Sequence, residues 1–435
     1  MNPTTFANVS RRSINRESYF LTSHACFCPS AFAANLISLI SRVTPGLYKT
    51  RAYAHTKFVP RGRPSIPSNY CHYLPSSTRR ADLMSRKYFS ATEYRFREEQ
   101  ADAIVRVTTY HNRPLYRSVI WFQPREHVAI RPSIATSFRR TTDTGLGSLD
   151  KLPLELLHDV LLRLDMHSIF KFRQTNLRSR QIVDSVHEYQ MVISHCLNLF
   201  CALLRTRLAT GVSLSEFYDV LCTKACAFCR GFGGFISLLF WVRCCFPCLE
   251  RVPALQMESL TSARRRFHLT ESDSDDLMSF KTLPGTYSKK GSVHKSRIIV
   301  VSAFQALLRS GPQPHIEMQA RLANLVRNEI FNFMGSCALP YYNRRTGRVE
   351  HGMSCAGCLL ACEKGIISSR LFESYDRIYG QDSFLEHFRF CEQAQFLWES
   401  SDEGNKQPTE LPRFAQLVNC LWDRERQECG NCWPM

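Results

Sequence analysis

Leu152–Ser185 reads LPLELLHDVLLRLDMHSIFKFRQTNLRSRQIVDS. Within it Leu152, Leu156, Leu157, Val160, Leu161 and Leu164 recur at i, i+4, i+5, i+8, i+9 and i+12, one broad apolar stripe along a helix. Pro153 suits the first turn of that helix, where its missing N–H costs nothing. Asp165 is placed to cap a second short helix carrying Ile169 and Phe172. Asn176 precedes a third, with Leu177, Ile182, Val183 and Val186 on its apolar side. Three short helices make a compact module, yet a unit of about forty residues buries too little apolar area to be robust alone. The stripe is also wider than a three-helix core requires, and a surplus apolar face implies a partner.

The same stretch resembles the F-box at nearly every position that defines it. Leu152-Pro153 opens the pattern, Glu155-Leu156-Leu157 follows, and Leu164-Asp165 marks the first corner. Ser168-Ile169, Phe172-Arg173, Asn176, Arg178 and Ile182-Val183 continue it, with one departure at Arg180, where the family often has tryptophan. The resemblance implies a three-helix F-box over residues 146–190 that docks on a Skp-type adaptor of a cullin–RING ubiquitin ligase. Leu152, Pro153, Leu156, Leu157, Leu161, Ile169 and Phe172 are then the residues that touch the adaptor or support that face. Farther on, CAFCRGFGGF…RCCFPCL, TLPGTYS (Thr282–Ser288) and CAGC…FLEHFRFCEQAQFLW follow in an order that resembles fungal F-box proteins with a cysteine-rich body, over Leu146 to Trp398. In that family the F-box usually lies near the N-terminus, so residues 1–145 are a departure.

Composition is that of a globular chain long enough for two or three domains: 435 residues, 44% hydrophobic and 22% charged. The formal charge of +18 is unevenly placed. Residues 1–145 hold 22 basic against 8 acidic side chains, and the remainder 34 against 30, so overall basicity is no argument for nucleic acid along most of the chain. Residues 1–145 are Arg- and Ser-rich, broken by proline, and without sustained period. They are expected to be a disordered or spurious extension, with a mitochondrial presequence around Ala31–Val43 as the alternative. The opening carries Arg11, Arg12 and Arg16 where a secretory signal would be apolar, so a cytoplasmic or nuclear setting is expected. The most apolar run, Gly234–Val242, is about half the roughly 20 residues that cross a bilayer and ends at Arg243. A short buried strand explains it better.

Past the F-box, helical patterns run through Tyr189–Arg205 and from Leu214, where Ser213-x-x-Glu216 forms a capping box ahead of Phe217, Val220 and Leu221. Glu271–Asp276 and Pro284–Lys295 read as surface loops, Ser296–Ser302 as a strand, and Glu317–Met334 as an amphipathic helix. Tyr341–His351 reads as a hairpin turning at Arg345–Gly347. The expected class is mainly α: an F-box, then an α-rich cysteine-rich domain over residues 191–400 with short strands and zinc-stapled knuckles, then a tail over 401–435.

Nineteen cysteines in a chain without an evident export signal read as metal ligands or buried hydrophobes rather than disulfides. Cys226-x2-Cys229 and Cys245-x2-Cys248 have the spacing of a four-thiolate zinc site, each pair reaching one ion from a tight turn. Gly231, Gly233 and Gly234 follow the first pair, and Cys222 and Cys244 are spare. Cys355-x2-Cys358 with His387-x3-Cys391 gives a second set. There His387 and Cys391 are expected on one face of a helix that starts at a Ser383-x-x-Glu386 capping box. For both sets the competing reading is a cluster of buried thiols. A lone Cys429-x2-Cys432 near the end is weaker evidence.

Catalytic signatures are lacking. More than one hundred residues separate Cys248 from Cys355, too far for a RING, and no zinc-deaminase, Walker A, G-x-S-x-G or H-E-x-x-H pattern occurs. GFGGF lacks the dinucleotide-binding spacing. Closed four-ligand zinc sites are structural. The expectation is a non-catalytic substrate-recognition subunit holding structural zinc, with an unknown protein substrate and no membrane or nucleic-acid partner. A zinc-dependent nucleic-acid or chromatin binder is the alternative, and a third is an assembly protein acting outside any ligase.

Overall fold

A computed structural model describes residues 92–136, 145–310, 329–366 and 376–416. The Ala31–Val43 run, most of Glu317–Met334, and Cys429 and Cys432 lie outside the described residues. In chain order the first elements are α1 (Ala101–Thr108), β1 (Thr109–Tyr110), α2 (Arg113–Arg117) and α3 (Pro124–Ile134). The leucine-rich stretch supplies α4 (Leu154–Arg163), α5 (Met166–Arg173) and α6 (Leu177–Ser185), followed by α7 (His187–Thr206) and α8 (Leu214–Leu221). Then come β2 (Phe235–Ser237), β3 (Val242–Cys244), α9 (Phe246–Arg251), β4 (Met257–Ser259), α10 (Leu260–Phe267) and α11 (Glu271–Asp275). Next are β5 (Ser279–Lys281), β6 (Gly285–Tyr287), β7 (Ser292–His294), β8 (Ile299–Ser302) and α12 (Ala303–Arg309). The last are α13 (Glu329–Met334), β9 (Ser336–Ala338), β10 (Tyr341–Tyr342), β11 (Val349–Glu350), β12 (Ser354–Cys355), α14 (Ala356–Glu363), α15 (Gln381–Phe388) and α16 (Glu392–Ser400). The expected class holds: helix predominates, and no described strand exceeds four residues. Among the described residues no helix is long and apolar enough to cross a membrane.

The three-helix module forms where the stripe put it. Pro153 stands at the N-cap of α4 rather than inside its first turn. Asp165 caps α5 by accepting the Ser168 N–H at 2.9 Å, and Asn176 caps α6 by accepting the Ser179 N–H at 2.8 Å. Each cap satisfies an amide that the helix cannot. Leu157, Val160, Leu161, Ile169, Phe172, Ile182 and Val183 close the core between the helices. The first corner is also sewn to the segment ahead of α8: Met166 N–H donates to the Val212 carbonyl (2.8 Å) and Leu214 N–H to that of Leu164 (3.1 Å). Ser213 and Glu216 form the expected capping box. The module therefore rests on α7 and α8 and is not a detached bead.

Residues 92–136 correct the expectation that everything before 146 is an extension. β1 pairs antiparallel with β12, Thr109 opposite Cys355 and Tyr110 opposite Ser354. Ile120 bridges to Cys337 of β9, while Asn198 of α7 accepts the Phe122 N–H and donates to the Ile120 carbonyl. Ile104, Tyr110, Leu115, Val119 and Ile120 are all buried. The segment is thus a strap woven into the body, and its short elements are stabilised by partners more than two hundred residues away. The tail boundary moves as well, since Phe414 and Ala415 pack on Tyr110, Leu359 and Leu397. Most of the N-terminal charge excess lies in residues 1–91, with 13 basic against 2 acidic side chains.

Three further expectations change. Gly234–Val242 is a buried hairpin rather than one strand, with β2 flanked by β3 and β9. Glu271–Asp276 contains the short helix α11, capped by Thr270, and Pro284–Lys295 forms the β6–β7 hairpin turning through Gly291 at φ +69°. The second three-stranded sheet, β4-β8-β5, carries α10 and α12 over Val301, Ala306 and Phe267. The Tyr341–His351 hairpin is as read, β10 against β11 with Gly347 at φ +67°.

Candidate docking face and metal centres

The seven residues expected at the adaptor face divide by burial. Leu157, Leu161, Ile169 and Phe172 are buried within the module, whereas Pro153 and Leu156 are exposed and Leu152 is half-buried. Leu154, which the periodicity did not select because it falls off the stripe, is 45% exposed beside Leu156 at 46%. Two large leucines are thus left open within one turn of α4, Leu156 on the stripe and Leu154 off it, pointing to different sides of the helix. Elsewhere in the module the Arg173 side chain is fully buried. It forks onto Asp184 at 2.8 and 3.1 Å and donates to the carbonyls of Ser133 (2.6 Å) and Thr136 (2.8 Å). A buried guanidinium keeps its charge at low cost only when its donors are matched in this way.

All four ligands of the first cysteine set converge. Their sulfurs lie within 4.8 Å of one another, and Cys229 Sγ is 3.5 Å from Cys245 Sγ. Four bonds of about 2.3 Å to a tetrahedral zinc ion place sulfurs about 3.8 Å apart. A disulfide needs about 2.0 Å. The first knuckle is shaped by Cys226 N–H to the Gly231 carbonyl (2.7 Å) and Arg230 N–H to the Cys226 carbonyl (3.1 Å), with Arg230 in the left-handed region at φ 65°. Ala227 N–H donates to the Arg243 carbonyl at 3.0 Å, fixing the knuckle to β3. The second knuckle uses a helix start: Cys245 is the N-cap of α9, Pro247 lies in its first turn, and Cys248 stands three residues on, on the same side. Cys222 and Cys244, the spare thiols, stand outside the group.

The four thiols act strongly on one another. Hydrogen bonding from Cys229, Cys245 and Cys248 holds the Cys226 thiol far below its ordinary range, and contact with Cys226 pushes Cys245 and Cys248 far above it. Cys229, in contact with Cys226 and hydrogen-bonded with Cys245 and Cys248, is drawn down to about 7, so the close-packed thiols ionise unequally, whereas a divalent ion would let all four ionise together. The apolar run ends at Arg243, on β3 next to the knuckles. Its side chain is buried and donates to the carbonyls of Gly233 (2.5 Å), Val220 (2.8 Å) and Leu339 (3.0 Å), and burial pulls it down to about 10.

The second set also converges, by a different local route from that expected. Helix α15 begins after Gly380, so Ser383 lies inside it and bonds back to the Gly380 carbonyl instead of capping. It ends at Phe388, and Cys391 is the N-cap of α16, so His387 and Cys391 come from two helices meeting at a corner. Cys355 caps α14, its sulfur accepting the Cys358 N–H at 3.3 Å. Cys391 Sγ lies 3.8 Å from Cys355 Sγ and 3.9 Å from Cys358 Sγ, and His387 Nε2 lies 3.3 Å from Cys358 Sγ. Zinc bonds of about 2.3 Å to sulfur and 2.0–2.1 Å to nitrogen give tetrahedral edges of about 3.5–3.8 Å. Tyr379 stacks on the His387 ring at 4.8 Å and 22°, setting its plane. Gly357 lies between Cys355 and Cys358; a Cβ there would stand 2.6 Å from Ala394 Cα. Its bare backbone lets α14 and α16 meet, which is what brings Cys358 to Cys391.

Two groups that could hold a metal ion, one of four cysteines and one of three cysteines with a histidine, are therefore present among the described residues. Comparison with known families finds an F-box domain at residues 149–191, coincident with α4, α5, α6 and the start of α7. No curated protein and no solved structure matches the chain.

Proposed function

We propose that this chain is a non-catalytic substrate-recognition subunit of an SCF-type ubiquitin ligase, docking on a Skp-type adaptor through its F-box. The observation that carries the reading is the open pair Leu154 and Leu156 on α4, inside the F-box match and above a fully closed core. The described residues between 191 and 416, with the strap 92–136, form the body that would hold a target protein near the charged ubiquitin-carrying enzyme. The rate gain in such a complex is proximity, supplied by the assembly and not by side chains of this chain. Both four-ligand groups suit zinc in a structural role, since all four corners are protein atoms and no position opens to water or substrate.

The competing reading, a zinc-dependent nucleic-acid binder, has less support. Arg264 bonds Ser274, Arg266 pairs with Glu258 and Arg344 with Asp219, so these three arginines of the body are engaged by its own polar and acidic side chains. Assembly tests the proposal: full-length chain mixed with a Skp-type adaptor and cullin scaffold should co-elute as one complex. Elution of the chain apart from the adaptor at micromolar concentration would refute it. Steeply salt-dependent binding to DNA or RNA by the described body would favour the competitor.

A further inference from the structure

The frames of the two candidate metal centres touch, although their ligands lie far apart along the chain. A bridge between Ala225 and Phe232 closes the base of the first knuckle, with Gly233 N–H donating to the Lys224 carbonyl at 2.9 Å. Two side chains at that base reach the frame of the second centre. The buried Phe232 ring is wedged between two glycines: a Cβ on Gly352 would stand 2.6 Å from it, and one on Gly380 3.0 Å. Gly352 precedes Met353, which bridges to Tyr379, and Gly380 is the N-cap from which α15 runs to His387. Lys224 Nζ meets one oxygen of Glu350 at 3.1 Å, and the other oxygen accepts the Gln381 N–H, the first amide of α15, at 3.2 Å. The Glu350 side chain is 20% exposed, so this pair is shielded from solvent more than an open surface pair. Lys224 also meets Asp382, whose side chain is 85% exposed and adds little. Tyr379, next to Gly380, stacks on the His387 ring.

Ordering a short loop costs chain entropy at every residue, and an ion gripping its sulfurs offsets that cost. A knuckle fixed in this way offers Phe232 and Lys224 as a rigid seat for the Gly380 corner. That corner sets where α15 starts, and so where His387 meets Cys358. We infer that the two centres load cooperatively, an ion at the first four cysteines raising the affinity of Cys355, Cys358, His387 and Cys391 through the Phe232 wedge and the Lys224–Glu350 pair. The inference rests on the zinc reading of both groups and adds an energetic link between them. Order supplied by one ion does not have to be supplied again by the other. Linkage makes the effect reciprocal, with one factor in both directions.

Metal titration of the full-length chain tests this, with affinity read by competition against a chromophoric chelator at fixed pH. Cobalt spectra distinguish the four-sulfur from the three-sulfur, one-nitrogen centre. Cys226→Ser with Cys229→Ser removes the first centre and should weaken the second about 5–150-fold. Cys358→Ser with Cys391→Ser removes the second and should weaken the first by the same factor. Lys224→Met cuts the ion pair without touching a ligand, and in that background each loss should shrink at least about threefold. Lys224→Arg keeps the charge and should keep the losses, and Glu350→Gln cuts the same pair where the methionine variant fails to fold. No loss at either centre, unequal losses, undiminished losses once the pair is cut, or arginine as damaging as methionine would overturn the inference and leave the metal reading intact. A wild-type chain holding fewer than two ions would overturn both.

Discussion

Arg173 and Asp184 meet inside the F-box as a forked ion pair, with the arginine wholly enclosed and its remaining donors spent on the carbonyls of Ser133 and Thr136. One side chain thereby joins α5 and α6 to the strap that precedes the module. Removing the guanidinium leaves a carboxylate and two carbonyls without their partner, so Arg173→Met should cost about 3 kcal/mol of stability. Urea unfolding of the full-length chain measures it, and Asp184→Asn, which keeps an acceptor, should cost less.

The strap predicts a boundary. A chain starting at Gly145 lacks β1, the partner of the strand that ends in Cys355, and lacks the buried Ile104, Tyr110, Leu115 and Ile120. It should fail to melt cooperatively, whereas a chain starting at Ala91 should melt as the full-length protein does. Calorimetry on the two truncations decides it.

Gly357 marks the contact between α14 and α16. Gly357→Ala places a methyl group against the Ala394 backbone, where no side-chain rotation relieves it. The expected cost is about 1–3 kcal/mol, within the range of core overpacking. Because Cys358 and Cys391 flank this contact, zinc affinity of the second centre should fall with it, and chelator competition reads both effects.

Burial, then the nearby His351 and Arg113, pull His111 down to about 3. In the unfolded chain histidine titrates near 6.5. The unfolded state therefore binds the extra proton first, and the stability owed to neutral His111 is complete above about pH 6.5 and declines as pH falls toward 3. Relative to His111→Phe, the wild type should lose about 1.4 kcal/mol per pH unit between pH 6 and 4. Acid release of metal affects both chains alike, so the difference isolates the histidine. Parallel curves would contradict the assignment.

Local chemistry was legible in the sequence where it is carried by neighbours along the chain. The α4 stripe, the Asp165 and Asn176 caps, the Ser213 capping box and the two cysteine spacings all depend on residues a few positions apart. What escaped depends on distant partners. β1 is two residues long and has no period to detect; it is a strand only because Ser354 and Cys355 lie beside it. The break between His387 and Cys391 is invisible to spacing, since i and i+4 read alike on one helix or across a corner. Arg243 looked like an interruption because its acceptors, Val220, Gly233 and Leu339, are brought together only by the β3-β2-β9 sheet and α8. Leu154 escaped for the opposite reason: it lies off the apolar stripe and is exposed, so no period marks it.

The adaptor-docking claim is tested most directly at Leu154 and Leu156, since both are open on α4 and neither closes the module's core. Leu157 is unsuited to the purpose, being buried, so that a charge there would unfold what it is meant to probe. Calorimetric titration of a Skp-type adaptor into the full-length chain should give tight binding for wild type. Leu154→Asp with Leu156→Asp should weaken it at least about 100-fold, as for two central interface anchors, while leaving the melting temperature near wild type. Undiminished adaptor affinity in that folded double variant would contradict the account.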